Sequence, residues 1–117
     1  MKEALRKLAF IMNDALLNNY DKMYVKEKVS VYHATFSDPE GPFFLVAHLY
    51  VNKNKSHEDM CEEAFVQTNT IHNAWWENES VTPMFQGSSC RSTSTGDYVQ
   101  IGSTKYSCES MGWKEIE

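Results

Sequence analysis

The 117-residue sequence predicts a small α+β domain. Two observations lead to this prediction: apolar residues recur at helical spacing in two segments, and short runs rich in β-branched and aromatic residues come in two pairs. The expected order is an N-terminal helix, a β-hairpin, a central helix and a C-terminal β-hairpin. A chain of this length, with 42% hydrophobic and 13% aromatic residues, matches one compact domain over residues 1–117.

The N-terminal helix is predicted over residues 2–19. Leu5, Leu8, Met12 and Leu16 recur there at helical spacing and form one apolar face. Because a helix of this length draws most of its stability from tertiary contacts, this face is expected to cover a sheet or a partner helix.

The first hairpin is predicted from two strand-like runs, residues 29–36 and 43–51. They flank the turn sequence Asp-Pro-Glu-Gly-Pro at residues 38–42. Both faces of the second strand are largely apolar. A strand of that kind is covered on both sides, by helices or by another subunit, so the sequence favours a homo-oligomer.

The central helix is predicted to begin after Ser56, which can cap the first turn together with Asp59. Apolar residues on one side and glutamates on the other then continue the helical pattern. The helix is expected to run into residues 73–78, where asparagines and the later Pro83 end it.

The C-terminal hairpin is predicted from residues 98–101 and 105–108. These strand-like runs are separated by the turn sequence Gly102-Ser103-Thr104. No internal repeat, low-complexity tract or interdomain linker interrupts the pattern.

The charge balance argues against one class of function. The net charge is −5, and the residues from Ser56 onward carry three basic and ten acidic side chains. Nonspecific nucleic-acid binding relies on many Lys and Arg contacts with phosphates, so the sequence does not favour it.

The cysteines indicate a reducing compartment. Cys61, Cys90 and Cys108 are odd in number and lack a C-x-x-C spacing, which argues against both a disulfide framework and a structural zinc site. No stretch approaches the roughly 18 apolar residues of a membrane span, and no targeting segment stands out. We therefore expect a cytoplasmic protein that does not associate with a membrane.

The common catalytic motifs are absent. The sequence contains no G-x-S-x-G, H-E-x-x-H, G-x-x-x-x-G-K-[ST] or G-x-G-x-x-G, so we expect a protein that is not an enzyme and needs no cofactor. His33-Ala34-Thr35 matches the H-x-[ST] element of two-histidine phosphoesterases, but the second copy is missing. His57 and Cys61 have a spacing that can hold a metal, yet a free cysteine on a helix more often behaves as a small hydrophobe, so no metal site is expected.

A hydroxyl-rich turn provides the first candidate binding residues. Arg91, Ser92, Thr93 and Ser94 offer one guanidinium together with several hydroxyl and backbone donors. Such donors can form a concave nest for phosphate or carboxylate, and arginine adds bidentate contacts. Two alternatives stay open: the hydroxyls satisfy the backbone of their own loop, and Arg91 takes part in a structural ion pair.

Two adjacent tryptophans provide the second group of candidates. Trp75 and Trp76, flanked by Asn73 and Asn78, combine flat rings with amide groups. This combination suits stacking on a base and reading its edge. Adjacent side chains point in different directions, so we expect one tryptophan in the core and the other at a pocket or a subunit interface.

The chain from the central helix onward resembles a group of small bacteriophage and plasmid proteins. Their signature reads R-S-x-S-x-G-D, then a hydrophobic strand, then a hairpin return ending near G-[WF]-x-E; residues 91–97 and 112–115 match it, and residues 69–81 add to the resemblance. The resemblance implies a phage- or mobile-element-encoded protein of the host cytoplasm that counters host immunity. One role it implies is a sponge that sequesters a cyclic nucleotide signal of the Thoeris kind.

These observations lead to a functional hypothesis. The chain is expected to be a noncatalytic anti-defence protein that binds a small phosphorylated nucleotide between the central helix and the C-terminal hairpin. Arg91 would contact the phosphate, and the tryptophans and asparagines would stack on the base and read it. The alternative is an acidic protein–protein inhibitor, which mimics nucleic acid and blocks a host nuclease or another anti-phage complex.

Overall fold

The computed structural model describes residues 25–35, 40–70 and 72–117. In this part of the chain six strands form one antiparallel sheet in the order β3-β2-β1-β4-β5-β6. The strands are β1 (Lys26–His33), β2 (Phe44–Asn52), β3 (Val81–Pro83), β4 (Tyr98–Ile101), β5 (Thr104–Glu109) and β6 (Gly112–Ile116). The helical elements of the described residues are one α-helix, α1 (His57–Gln67), and one 3₁₀ turn, Trp75–Glu77.

The predicted α+β class is wrong, because the described domain is mostly β. The two predicted hairpins are present, but β3 and β6 extend the sheet beyond them, and α1 is a single helix on a six-stranded sheet. The N-terminal helix predicted over residues 2–19 lies outside the described residues.

Weak sequence signals explain why the two additional strands, β3 and β6, were not predicted. β3 spans three residues and includes Pro83, while β6 begins at a glycine and carries Lys114 and Glu115. Neither contains the run of β-branched residues that marks a strand. Pairing with the longer strands β2 and β5 therefore defines them, rather than their own propensity.

The core lies on one face of the central strands. Val29 and Val31 of β1, Ala47 and Leu49 of β2, and Val99 of β4 are almost completely buried. The antiparallel register places Val31 directly opposite both Ala47 and Val99. Directly paired residues share a face of the sheet, so these side chains form one continuous apolar layer.

A β-bulge interrupts the pairing of β1 with β2. The register shifts after Val31, which leaves Val46 as an extra residue on β2. Because of this shift, His33 pairs with Phe44 rather than with Leu45. His33 and Phe44 therefore lie side by side where β1 ends and β2 begins.

Helix α1 packs across the buried face of the sheet. Its first turn is capped by Ser56, whose Oγ accepts a hydrogen bond from the Asp59 backbone N–H at 3.1 Å, as the sequence predicts. Met60, Cys61 and Ala64 are buried against the apolar layer. The opposite side of the helix carries acidic residues that face solvent.

The helix ends earlier than the sequence predicts. Thr68 is fully buried, its hydroxyl donates to the Ala64 carbonyl at 2.7 Å, and its own carbonyl accepts from the Thr93 backbone N–H at 3.0 Å. These contacts turn the chain out of the helix after Gln67. The tryptophans consequently occupy a separate 3₁₀ turn instead of a continuation of the helix.

The C-terminal hairpin continues into a third strand that contacts the helix. Gly102, with φ +60°, occupies the tight turn between β4 and β5. On β6, the Trp113 indole N–H donates to Glu62 Oε1 at 2.7 Å, and its ring lies edge-to-face with Phe65. This contact joins the edge of the sheet to helix α1.

Val99→Ala should lower the free energy of unfolding by about 2 kcal/mol, because it removes buried methyl groups from the middle of the core and leaves a cavity. The matched control is Val66→Ala on helix α1, where the valine is 56% exposed. This control should change stability little, since alanine is the better helix former. Chemical denaturation compares the two, and equal losses would contradict the placement of the core.

Candidate functional site

The turn from Arg91 to Asp97 is built around a buried carboxylate. Asp97 is 0% exposed. Its oxygens accept hydrogen bonds from the backbone N–H groups of Ala34 and Ser94, each at 2.8 Å, and from both terminal nitrogens of Arg91, each at 2.7 Å. A charge is tolerated in a protein interior only with such compensation.

The Arg91 guanidinium acts as the counter-ion of Asp97. It also donates to the carbonyl oxygens of Ala34 and Ser92, at 2.8 and 3.0 Å. The hydrogen bonds with Asp97 raise the pKa of Arg91 above its ordinary value. The side chain is 26% exposed, so one edge reaches solvent while its charge is largely compensated. The structural ion pair considered for Arg91 is therefore present.

Thr93 lies in the interior of the domain. It is 0% exposed, and its hydroxyl contacts His33 Nε2 at 2.8 Å and Thr68 Oγ1 at 2.7 Å. Ser92 and Ser94 are half-buried beside it. In the described part of the chain no buried side-chain nitrogen or oxygen lacks a hydrogen-bond partner, so this turn satisfies its own polar groups.

The tryptophans meet the same turn from another side. Trp75 is 2% exposed, and its indole N–H donates to the carbonyl oxygens of Cys90 and Arg91 at 3.2 and 3.0 Å. Trp76 is half-buried, and its ring lies edge-to-face with both Trp75 and Phe85. The fold thus brings the two predicted groups of binding residues together, with Trp75 in the core.

The two predicted asparagines bind each other. Asn73 Nδ2 donates to Asn78 Oδ1 at 3.1 Å, and Asn78 Nδ2 donates to the Gln67 carbonyl at 2.7 Å. These bonds close the loop that follows helix α1. Most polar groups of the predicted binding residues are therefore engaged within the fold.

A cleft with a volume of about 540 Å³ lies beside this turn. It is bounded by the end of β1, the start of β2 and the segment that follows β3. Its apolar walls include Phe44, Met84 and Phe85, and its polar groups include His33, Gln86, Cys90 and Arg91. The cleft is the concave surface that the site offers to a small ligand.

Sequence patterns assign no binding role to Phe44, Met84 or Phe85. These residues belong to segments that are far apart in the chain and meet only when β3 pairs with β2. The sequence offers one signal for an aromatic ring outside the core, namely the adjacent pair Phe43 and Phe44. Consecutive strand residues occupy opposite faces of a sheet, so at most one of the two can reach the core.

Cys90, His33 and Asp97 lie in a row that resembles a nucleophile, a base and an orienting acid. Cys90 Sγ is 3.7 Å from His33 Nδ1, and His33 Nε2 is 3.7 Å from Asp97 Oδ2. Burial lowers the pKa of His33 to about 4, and burial raises the pKa of the Cys90 thiol. Both groups are then neutral at neutral pH, whereas a cysteine nucleophile needs the thiolate.

The other residues weighed for chemistry are engaged elsewhere. His57 Nδ1 contacts the Tyr106 hydroxyl at 2.7 Å, and burial raises the pKa of the Cys61 thiol to about 12. The Thr35 hydroxyl donates to the Pro42 carbonyl at 2.9 Å. Among residues 25–35, 40–70 and 72–117, no group of three or more His, Cys, Asp and Glu side chains is placed to hold a metal ion.

Comparison with known proteins gives no relative for this arrangement. No family model, curated protein or solved structure matches the chain. In the described part of the chain, no helix is both long enough and apolar enough to cross a bilayer.

Arg91→Ala should destabilise the domain, because it leaves the Asp97 carboxylate buried without its counter-ion. Removing one partner of a buried pair destabilises a protein by about 3–5 kcal/mol, and we expect the lower end because Arg91 is 26% exposed. Chemical denaturation measures this change. Replacing Asp97 as well, as Arg91→Ala with Asp97→Asn, should recover part of the loss, because it removes the uncompensated charge and keeps an oxygen that can accept from a backbone N–H.

Lys55→Ala is the matched control for this prediction. Lys55 pairs with Glu63 at the surface and is 43% exposed, so its loss should leave the free energy of unfolding nearly unchanged. Equal effects of Arg91→Ala and Lys55→Ala would contradict the role assigned to the buried pair.

Stability should decrease as the pH falls from about 6.5 to about 4. His33 has a pKa of 6.5 when unfolded and about 4 in the fold, mainly because of burial, with Asp97 opposing and Arg91 reinforcing the shift. The stabilisation by neutral His33 is complete above pH 6.5 and is lost toward pH 4, by at most roughly 1.4 kcal/mol per pH unit.

Denaturation at a series of pH values measures this slope. His33→Gln should flatten the profile in that window, while His72→Gln, which replaces an exposed histidine, should leave it unchanged. If both variants follow the wild-type profile, another group is responsible.

Proposed function

We propose that this chain is a noncatalytic binding protein that holds a small nucleotide with its base in the cleft. The observation that carries the proposal is the cleft itself. Its volume of about 540 Å³ lies within the roughly 300–1,000 Å³ of small-molecule sites. It combines apolar walls with a few polar groups, which is the usual composition of such sites.

The apolar walls suit a flat ring. Phe44 and Met84 are 56% and 44% exposed, which is high for large apolar side chains on a concave surface. A base that covers them removes apolar area from water, and an aromatic side chain adds stacking. Phe85 contacts both Trp75 and Trp76 edge-to-face, so the tryptophans support this wall rather than stack on the ligand.

Arg91 becomes a secondary contact for the phosphate in this proposal. It is the cationic side chain among the described residues that line the cleft. Because Asp97 already compensates its charge, a phosphate gains less from it than from an unpaired arginine. Most of the affinity is then expected from the base.

The neutral pair formed by Cys90 and His33 favours binding over catalysis. Nucleophilic catalysis by cysteine requires a thiol with a depressed pKa and a base that accepts its proton. Here burial raises the pKa of Cys90 and lowers the pKa of His33, which is the reverse of both requirements. Asp97, which would orient the base, is hydrogen-bonded to Arg91. A bound nucleotide is therefore expected to be held without being altered.

The wider role in this proposal comes from the resemblance of residues 91–97 and 112–115 to phage and plasmid proteins. A binder that retains a nucleotide unchanged removes it from solution. In a phage-infected cell, such a protein lowers the free concentration of a cyclic nucleotide immune signal in the host cytoplasm. A homo-oligomer would multiply the number of such sites.

An acidic inhibitor of a host defence protein is the second candidate. Glu58, Asp59 and Glu62 are exposed on helix α1, and Glu77 and Glu79 are exposed after the 3₁₀ turn. Such a surface can imitate the charge of nucleic acid. Partner binding that weakens strongly with salt, and that is lost when Glu58 and Asp59 become Gln and Asn, would support this candidate.

Phe44→Ala should weaken nucleotide binding about tenfold or more, because it removes the most exposed ring of the cleft wall. Loss of one stacking side chain reduces binding by about 1–3 kcal/mol. Calorimetric titration with a panel of linear and cyclic nucleotides measures the dissociation constants. Nucleotide released by denaturation should be chemically intact, and an altered product would contradict the noncatalytic proposal.

Two matched controls accompany this test. Phe43 is 41% exposed, but its ring lies against Tyr98 and outside the cleft lining, so Phe43→Ala should retain binding. Met84→Ala should weaken binding, whereas Met111→Ala, in the turn between β5 and β6, should not. The proposal fails if no nucleotide binds or if the paired variants behave alike.

A further inference from the structure

A chain of hydrogen bonds runs from the end of helix α1 to the cleft. The Thr68 hydroxyl contacts the Ala64 carbonyl oxygen at 2.7 Å, Thr93 Oγ1 contacts Thr68 Oγ1 at 2.7 Å, and His33 Nε2 contacts Thr93 Oγ1 at 2.8 Å. At the cleft end, His33 Nδ1 lies 3.7 Å from Cys90 Sγ. Thr68 and Thr93 are 0% exposed and His33 is 4% exposed, so the chain is shielded from water.

One arrangement of hydrogen atoms satisfies these contacts together. A carbonyl oxygen only accepts, so the Thr68 hydroxyl donates its single hydrogen to Ala64. The Thr93 hydroxyl must then donate to Thr68, which leaves the Thr93 oxygen to accept from His33 Nε2. The neutral imidazole is therefore fixed as the Nε2–H tautomer, and Nδ1 keeps its lone pair.

Nδ1 lies beside the Cys90 thiol at the wall of the cleft. His33 and Cys90 both line the cleft, and the Cys90 thiol lies next to Nδ1. A thiol is a weak hydrogen-bond donor, so an N–H group of a ligand can replace it with a net gain. The charged groups facing His33 are Asp97 and Arg91, which compensate each other.

We propose that His33 Nδ1 selects ligands whose heteroaromatic ring presents an N–H or NH₂ donor to the cleft. This inference rests on the proposed function and adds the chemical class of the base, an amino-substituted ring. A ring that presents only acceptor nitrogens there places one lone pair against another and binds more weakly. The threonine chain makes the cleft selective because it prevents His33 from changing tautomer.

Nitrogen NMR of the histidine ring tests the fixed tautomer without any ligand. At neutral pH, His33 should be neutral with its proton on Nε2. Thr93→Val, which keeps the shape of the side chain but removes the hydroxyl, should raise the fraction of the Nδ1–H tautomer above that of the wild type. A wild-type ring that carries its proton on Nδ1 would overturn the inference, whatever the protein binds.

Adenosine 5′-monophosphate and purine riboside 5′-monophosphate are matched probes, because they differ only by the exocyclic amino group. The probe without this group should bind roughly five- to tenfold more weakly, as expected for one neutral hydrogen bond. Equal affinities would overturn this inference and leave the proposed function standing. If neither probe nor any other nucleotide of the panel binds, the proposed function fails and the inference fails with it.

Two substitutions of Cys90 should have opposite effects on the amino-bearing probe. In Cys90→Ser, the hydroxyl donates more strongly to His33 Nδ1 and competes with the ligand, so adenosine 5′-monophosphate should bind severalfold more weakly. In Cys90→Ala, Nδ1 has no competing donor, and binding should be at least as tight as in the wild type. Purine riboside 5′-monophosphate should respond to neither change. Equal shifts for both probes would indicate a purely structural role for Cys90 and contradict the inference.

Discussion

The ion pair between Arg91 and Asp97 is the interaction on which the rest of the site depends. The buried carboxylate also holds the backbone of Ala34 and Ser94, so it joins the end of β1 to the turn that leads into β4. With the turn held in this way, Thr93 lies in the interior and the cleft has a fixed wall. The binding surface that we propose is therefore ordered before a ligand arrives, which reduces the conformational entropy lost on binding.

Local sequence patterns predict local structure in this chain and miss what depends on distant contacts. The Ser56 cap and the two hairpins follow from residue types that lie close together in the sequence. The strands β3 and β6 do not, since their pairing partners stabilise them more than their own residues do. The early end of helix α1 likewise depends on contacts between Thr68 and Thr93, which no local pattern reveals. The predicted fold class was wrong for these reasons.

The same limit applies to the site. A guanidinium among hydroxyls predicts an anion contact in isolation, yet the signature that contains Arg91 ends with its own carboxylate at Asp97. That acid was the available signal that the arginine has an internal partner. The cleft could not be predicted, because Phe44, Met84 and Cys90 come together only after the sheet has formed. The selectivity that we propose for it depends in turn on hydrogen positions that only the complete network defines.

The β-bulge in β2 is a place where one residue can be deleted while the rest of β2 keeps its pairing with β1. A length change within a strand normally moves every side chain beyond it to the other face of the sheet. Here Val46 is left without a partner on β1, although its carbonyl accepts from the Met84 backbone N–H at 2.8 Å and its side chain is buried, so its removal would leave Val31 opposite Ala47 and His33 opposite Phe44. The change would fall on the local bend of the strand, on the core beside Val46 and on the contact with Met84, and so on the outline of the cleft. A one-residue deletion in the middle of the sheet is thus a route by which the shape of the cleft can vary, although such variation is usually confined to loops.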